Sequence, residues 1–167
     1  MATDPLTPEI ADQVRRLHNA LRSVGADVAI AESCTGGTVL ASLTAPSGAS
    51  DVIAGGVVVY SNESKTALLG VAPQTLIESG PVSSETTIEL AQRVKNRAKA
   101  TYGAAVTGWA GPGHEAEPVG TTYLAVAGPR TSAVRRAWFE GDRDEVRMAA
   151  ASELIGMLLA TVGEVVT

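Results

Sequence analysis

The chain has 167 residues, 45% of them hydrophobic and only 4% aromatic, which fits a single domain whose core is built from small aliphatic side chains. Its formal net charge of -5 argues against nucleic acid as a partner, because phosphate backbones select basic surfaces. The single cysteine, Cys34, cannot form an intramolecular disulfide, and no cysteine pair is spaced for zinc, so the sequence predicts a reducing, cytoplasmic setting and no metal.

The N-terminal elements follow from their caps and their apolar spacing. A helix is predicted over 7–24, because Thr7 suits the N-cap and Pro8 the first helical position. No secretory pattern is present at the N-terminus, and no apolar run approaches the ~18 residues of a membrane span. An apolar strand over 27–31 follows, and a second helix is predicted from 38 to about 44.

Between that strand and the second helix lies the stretch Glu32–Gly37, which contains hydroxyls, a thiol and two glycines. The N–H groups of a first helical turn lack intrahelical partners and carry partial positive charge. The stretch therefore predicts an anion site with Ser33 at its mouth. A simple N-cap role for the hydroxyls is the alternative. No nucleotide-loop motif is matched.

The middle of the chain predicts a long strand and three helices. The run over 51–60 is almost continuously apolar and is typical of a central strand. Short helices are predicted over 62–69 and 73–79, each ended by a glycine, and a longer one over 83–99.

The C-terminal part predicts the rest of a sheet and a last helix. Strands are predicted over 102–106, 119–127 and 133–139, the last two as a hairpin, and a helix capped by Asp142 follows to about 162. Because helices and strands mostly alternate, the sequence predicts an α/β three-layer α/β/α sandwich in one domain. Its sheet is expected to be mixed and mainly parallel, with about five strands.

Three polar, glycine-containing segments follow predicted strands, namely 32–37, 60–65 and 107–114. The carboxyl ends of parallel strands lie at one edge of a sheet, where ligands bind. We therefore expect the three segments to line a common crevice.

Ser33 is the candidate nucleophile, but a serine hydroxyl needs a base to take its proton. Lys65 is the candidate base, because a desolvated lysine can lose its proton near neutral pH, and Tyr60 could relay that proton or orient the amine. A solvated charge for Lys65 and a packed rim aromatic for Tyr60 are the structural alternatives.

Other side chains compete for these roles. A thiol at a helix N-terminus, such as that of Cys34, can be a nucleophile, although buried cysteines are usually inert. His18 falls on the first helix and is expected at the surface, whereas His114 lies in the glycine loop and could enter the site. Arg143 and Arg147 are ordinary surface charges or, for Arg143, the cation that a phosphate-bearing substrate would require.

Five motifs occur in the order found in the CinA C-terminal domain family, which the sequence resembles from about Val28 to the last helix. They are ESCTGG at 32–37, GGVVVYSNESK at 55–65, GPVS at 80–83, TGWAGPG at 107–113 with PVGT at 118–121, and GDR at 141–143. The family is that of stand-alone nicotinamide-nucleotide amidases, also called nicotinamide mononucleotide deamidases.

The resemblance implies hydrolysis of the carboxamide of nicotinamide mononucleotide to nicotinate mononucleotide and ammonia, without a cofactor, on a three-layer α/β fold. It places the family's catalytic serine, tyrosine and lysine on Ser33, Tyr60 and Lys65. Substrate-contacting positions are expected at Cys34, Thr35, Gly36, Gly37, Thr107, Gly108, Gly111 and Arg143.

The sequence also departs from the family pattern. Trp109 replaces a smaller aliphatic residue, and His114-Glu115-Ala116-Glu117 replaces a more glycine-rich run, which bears on substrate selectivity. Two other functions therefore stay open, a non-catalytic nucleotide-binding or damage-response module and an amidase for another small amide. The expected partner is a small nucleotide, with no nucleic acid or membrane, and the protein is expected to form a homo-oligomer.

Overall fold

A computed structural model describes residues 7–112 and 117–163 of the chain. Within those residues it contains six α-helices, five strands and one short 3-10 turn. The elements are α1 (Pro8–Ser23), β1 (Val28–Glu32), α2 (Thr38–Thr44), the 3-10 turn (Ala49–Asp51), β2 (Ile53–Val58), α3 (Asn62–Leu69), α4 (Pro73–Ser79), α5 (Ser84–Ala98), β3 (Tyr102–Gly108), β4 (Thr121–Ala127), β5 (Ser132–Trp138) and α6 (Arg143–Gly163).

The strands form one mixed sheet in the order β2-β1-β3-β4-β5. β1 pairs in parallel with both β2 and β3, and β4 is antiparallel to β3 and β5. Four of the five strands therefore run in one direction, as the sequence predicted. Glu32, the last residue of β1, is level with Val58 and Val106, so the loops after β1, β2 and β3 leave the sheet at the same edge.

Helices cover both faces of the sheet, which confirms the predicted three-layer architecture. One face packs against α1, α2 and α6 around buried leucines such as Leu17, Leu124 and Leu154. The other face packs against α3 and α5 and is built largely from alanines. Gly103 shows why small residues matter there, since a Cβ at that position would lie 2.1 Å from the carbonyl oxygen of Ala91 on α5.

β2 is an edge strand, and the prediction that 51–60 forms a central strand was wrong. Helices lie over both of its faces, so an edge strand carries apolar residues on each side. Gly56 faces α2, where a Cβ would lie 2.6 Å from Leu40, whereas Val57 packs with the cluster on the α5 side. The hydrophobic pattern of a strand indicates whether its two faces are covered. It does not indicate whether the strand has a hydrogen-bonded neighbour on both sides.

α6 is the longest helix, with 21 residues. By length and composition alone it would suffice to cross a membrane, which corrects the expectation that no segment does. Seven of its residues are buried, among them Leu154, Ile155 and Leu158, and they belong to the cluster that covers one face of the sheet. That packing is typical of the core helix of a globular α/β fold.

Candidate active site

The three loops that follow β1, β2 and β3 line one cavity of about 420 Å³, as the sequence predicted. The lining residues are Ser33, Cys34, Tyr60, Ser61, Asn62, Lys65, Pro81, Val82, Gly108, Trp109, Ala110, Gly111, Pro112 and Arg143. Hydroxyl, amine, amide and guanidinium groups therefore face a common space.

α3 carries Lys65 into this cavity. Ser61 caps the helix, because its hydroxyl accepts from the Ser64 N–H while the Ser64 hydroxyl accepts from the Ser61 N–H. This capping box fixes the first turn, and Lys65 follows it. The Lys65 Nζ atom lies 3.4 Å from Ser33 Oγ and donates to the carbonyl oxygen of Val59 at 3.0 Å.

Burial determines the electrostatics of this pair. Lys65 is only 2% exposed, and desolvation lowers the pKa of its amine, whereas Cys34 and Glu63 have the opposite, smaller effect. A lowered pKa raises the neutral fraction of the amine, which is the form that accepts a proton. Ser33 is 8% exposed, and its backbone N–H is tied to the carbonyl oxygen of Val106 on β3 at 3.1 Å.

Glu32, the residue before Ser33, fills the N-terminus of α2. Its carboxylate is fully buried and accepts from the N–H groups of Gly37, Val39 and Leu40. The predicted anion site at this helix end is therefore corrected, because the protein's own carboxylate takes the N–H groups that a ligand would have used. Ser33 does not cap α2 either, because the N-cap residue of that helix is Gly37.

Cys34 lines the cavity, but its thiol is buried. Desolvation is the largest effect on it and raises the pKa of the thiol to about 12. A thiol with that pKa is almost entirely protonated near neutral pH and is a poor nucleophile. The sequence preference for Ser33 over Cys34 agrees with this difference.

Tyr60 lies at the rim of the cavity and is 60% exposed. Its hydroxyl accepts a hydrogen bond from the Arg143 guanidinium at 2.7 Å, and in the part of the chain that the structure describes neither Ser33 nor Lys65 is a partner of that hydroxyl. The geometry therefore joins Lys65 directly to Ser33 and places Tyr60 with Arg143.

The expected substrate-contacting residues divide into two groups. Cys34, Gly108, Gly111 and Arg143 line the cavity. Thr35, Gly36, Gly37 and Thr107 do not appear among its lining residues. Thr35 is instead bonded to Glu32, and Thr107 shares a buried hydrogen bond of 2.8 Å with Thr87 on α5.

His18 is not among the described residues that line this cavity. His18 is buried on α1 at 2% exposure, which contradicts the expected surface position, and His114 lies outside the described residues. Over 7–112 and 117–163, no three His, Cys, Asp or Glu side chains are grouped as a metal site would require.

Sequence reasoning missed three features of the site. Asn62 lines the cavity, whereas the sequence analysis assigned it no role in the site. Glu32 was given no role, although a signal existed: a charged residue that ends a strand paired on both sides must find buried partners. Arg147 donates to the carbonyl oxygen of Thr35 at 3.1 Å, and spacing along the chain gave no indication of that contact.

Known proteins are similar to this chain in sequence and in fold. The family model described as CinA C-terminal domain matches residues 11–162. A "CinA-like protein" of Myxococcus xanthus is 46% identical over 141 residues, which are 83% of this chain and 34% of that protein. The chain thus spans about a third of the length of such relatives.

A relative of similar length is the "Nicotinamide-nucleotide amidohydrolase PncC" of Escherichia coli K12. It is 40% identical over 153 residues, covering 90% of this chain and 91% of that protein. Among solved structures, the competence/damage inducible protein CihA from Agrobacterium tumefaciens superposes with a TM-score of 0.89 at 34% identity, covering 96% of this chain and 98% of that one.

Proposed function

The chain belongs to the CinA C-terminal domain family, and from this premise we propose that it is a nicotinamide-nucleotide amidohydrolase. It hydrolyses the carboxamide of nicotinamide mononucleotide to nicotinate mononucleotide and ammonia, a step of pyridine nucleotide salvage. The proposal takes the chain to be a single amidase domain that acts in the cytoplasm as a homo-oligomer.

One observation carries the proposal: the Lys65 amine, buried and with a lowered pKa, lies 3.4 Å from Ser33 Oγ in a cavity of about 420 Å³. A neutral amine at that distance is placed to take the serine proton as the hydroxyl attacks a carbonyl carbon. The relative in Escherichia coli whose name states this activity supports the same reaction.

The reaction proceeds in two halves. Ser33 Oγ bonds to the carboxamide carbon while Lys65 takes the serine proton and then gives a proton to the departing nitrogen, so that ammonia leaves. Water next attacks the acyl ester, again losing its proton to Lys65, and the acid and the free serine hydroxyl form. Serine and lysine together thus run acyl transfer without histidine.

The tetrahedral oxyanion needs donors near Ser33. The Gly36 N–H donates to the carbonyl oxygen of Ser33, and the Gly37 N–H donates to Glu32. The proposal therefore assigns the oxyanion to the N–H group of Cys34, the residue that follows Ser33 and lines the cavity.

Arg143 is assigned to the phosphate of the nucleotide. Its guanidinium lines the cavity at the rim and already binds the Tyr60 hydroxyl, and a planar fork of N–H donors suits phosphate oxygens. Tyr60 then orients Arg143 and is not needed as a proton relay. Another part of the same cavity is lined by the less polar side chains of Trp109, Pro81 and Val82. Such a surface suits a flat pyridine ring.

An ammonia-release assay with three pyridine carboxamides tests the proposal: nicotinamide mononucleotide, its riboside without phosphate, and free nicotinamide. We expect turnover with the mononucleotide, and a Ser33→Ala loss on the order of 10³-fold or more with the melting temperature retained. Full turnover by Ser33→Ala would remove the covalent mechanism.

The same assay distinguishes the two alternatives. Calorimetric binding of the mononucleotide without any ammonia release would favour a non-catalytic nucleotide-binding module. Ammonia release from nicotinamide alone, with the mononucleotide inert, would identify an amidase for another small amide.

A further inference from the structure

The Glu32 side chain is a fully buried carboxylate next to the proposed nucleophile. Its Oε2 atom accepts from the Thr35 hydroxyl at 2.6 Å and from the N–H groups of Gly37 at 3.0 Å and Val39 at 3.1 Å. Its Oε1 atom accepts from the Leu40 N–H at 2.8 Å. Four donors thus converge on one side chain, which offsets the cost of burying it.

These bonds tie the turn that carries Ser33 to the helix that follows. The Ser33 N–H is held by Val106 on β3 at 3.1 Å, and the Ser33 carbonyl oxygen accepts from the Gly36 N–H at 3.1 Å. β1 and β3 thus anchor one end of the turn, and the Glu32 carboxylate anchors the other end at α2. The backbone angles at Gly36 and Gly37 are left-handed, with φ of 61° and 102°, so the turn also depends on its glycines.

We propose that Glu32 is a positioning residue that holds Ser33 Oγ within reach of the Lys65 amine. Glu32 is not among the described residues that line the cavity, and it is not a hydrogen-bond partner of the Lys65 amine, so it acts through the turn 33–37. This inference rests on the proposed serine chemistry but not on the identity of the amide. Packing alone would not require a carboxylate at this position, since an apolar side chain could fill the same volume. Positioning of Ser33 gives the buried Glu32 carboxylate a role.

Glu32→Gln is the direct test. The variant keeps the shape of the side chain but replaces one carboxylate oxygen with an NH₂ group. That group cannot accept the hydrogen bonds that the oxygen accepted, so we expect the turn to shift. We expect kcat to fall about 100-fold with KM within about twofold, because an ångström of misplacement of a reacting atom costs that much rate.

Asp27→Asn is the matched control. Asp27 precedes the other end of β1, away from the cavity, and its carboxylate accepts from the Thr101 N–H at 2.8 Å and the Thr101 hydroxyl at 2.9 Å. Both substitutions remove a hydrogen-bonded carboxylate from the ends of the same strand. We expect Asp27→Asn to lower the melting temperature while kcat stays within about twofold of wild type.

A substrate-independent readout separates positioning from stability. Phenylmethylsulfonyl fluoride modifies an activated serine: the Ser33 oxygen bonds to sulfur, fluoride leaves, and Lys65 takes the proton. Mass spectrometry of the intact protein follows this reaction. We expect Glu32→Gln to slow it about 100-fold and Asp27→Asn to leave it near the wild-type rate.

Thr35→Val is the second variant, for use if Glu32→Gln does not fold. It removes one of the four donors to Glu32 and keeps the branched shape, and we expect Ser33 sulfonylation to slow several-fold. Wild-type sulfonylation rates in both Glu32→Gln and Thr35→Val would overturn the inference. Equal slowing in Glu32→Gln and Asp27→Asn would overturn it too, because the effect would then be general destabilisation.

The outcome for the proposed function is read separately. Slowed sulfonylation in Glu32→Gln, together with no ammonia release from nicotinamide mononucleotide by the wild type, would support positioning by Glu32 and reject the proposed substrate.

Discussion

Lys65 Nζ and Ser33 Oγ are 3.4 Å apart although 32 positions separate the two residues in the chain. The parallel pairing of β1 with β2 makes this possible, because the loops after the two strands leave the sheet side by side. Ser33 follows β1 directly, and Lys65 lies one helical turn into α3 after β2. The hydroxyl and the amine meet across neighbouring strands.

The pH dependence of turnover should report the Lys65 amine. Burial lowers its pKa, and the proposed mechanism uses the neutral amine as the base. We therefore expect kcat/KM to rise with pH and then level off, and the midpoint of the rise should lie below the usual lysine pKa of about 10.4. Lys65→Met and Lys65→Arg should both lose on the order of 10²–10⁴-fold in activity, the arginine variant because it keeps the charge but stays protonated. A pH profile that is unchanged in Lys65→Arg would contradict the assignment.

Stability should depend on the same group. Because the folded-state pKa of Lys65 is lowered, the unfolded chain binds more protons between that pKa and about 10.4, and wild-type stability rises with pH through this window. The difference in melting temperature, Lys65→Met minus wild type, should therefore be largest near pH 7 and decrease towards pH 10. The expected change is roughly 3–5 °C for each unit by which the pKa is lowered. A difference that does not vary with pH would show that the amine is not desolvated.

Tyr60→Phe separates orientation from proton relay. The variant loses the hydroxyl that accepts from Arg143 at 2.7 Å, and we expect KM for the nucleotide to rise roughly three- to tenfold while kcat is retained. Tyr123→Phe on β4, whose hydroxyl faces Glu117, is the matched control and should leave both constants unchanged. If kcat fell by orders of magnitude in Tyr60→Phe alone, the relay would be supported instead.

Cys34 should resist alkylation in the folded protein. Its thiol is buried, and desolvation raises its pKa to about 12, so the thiolate fraction at pH 8 is very small. Iodoacetamide at pH 8 should label the folded chain at least about 100-fold more slowly than the chain in guanidinium chloride. Equal labelling rates in the two states would reopen Cys34 as a nucleophile.

His18 should make the fold sensitive to acid. The ring is 2% exposed, its Nε2 atom is without a hydrogen-bond partner among the described residues, and desolvation with nearby Arg22 lowers its pKa. The unfolded state therefore binds the proton more readily than the folded state. The contribution of neutral His18 to the free energy of unfolding is fully present above about pH 6.5 and decreases as the pH falls below that value.

Thermal melts between pH 7.5 and 5 test this contribution. His18→Leu should flatten the pH dependence of the melting temperature, by roughly 3–5 °C for each unit by which the pKa of His18 is lowered. His114→Gln removes the chain's second imidazole and separates the contributions of the two histidines. An unchanged slope in His18→Leu would show that His18 does not titrate differently on folding.

Local signals in the sequence predicted most of the elements. Thr7 accepts from the Ile10 N–H at 3.3 Å at the start of α1, and Asp142 accepts from the N–H groups of Asp144 and Glu145 before α6. Gly70 ends α3 in the left-handed conformation. Such caps involve neighbours within a few positions, and residue type therefore reveals them.

Relationships across the sheet were harder to predict. The edge position of β2 depends on which strand pairs with which, and apolar content does not encode this. The contact of Arg143 with Tyr60 spans 83 positions, so no spacing rule could find it. Lys65 was predicted as the base from the sequence. Its burial could not be predicted in the same way, because residues of several separate loops surround it only in the folded protein.

α6 supplies a guanidinium at Arg143 that binds Tyr60 and, one turn later, another at Arg147 that binds the carbonyl oxygen of Thr35. The same helix covers one face of the sheet with Leu154 and Leu158. A ribosome that has translated as far as residue 142 has therefore already made the serine and the lysine but has yet to make both arginines. Residues made after the serine and the lysine thus complete the pocket, and a product that terminates before α6 would lack both guanidinium contacts and leave one face of the sheet uncovered.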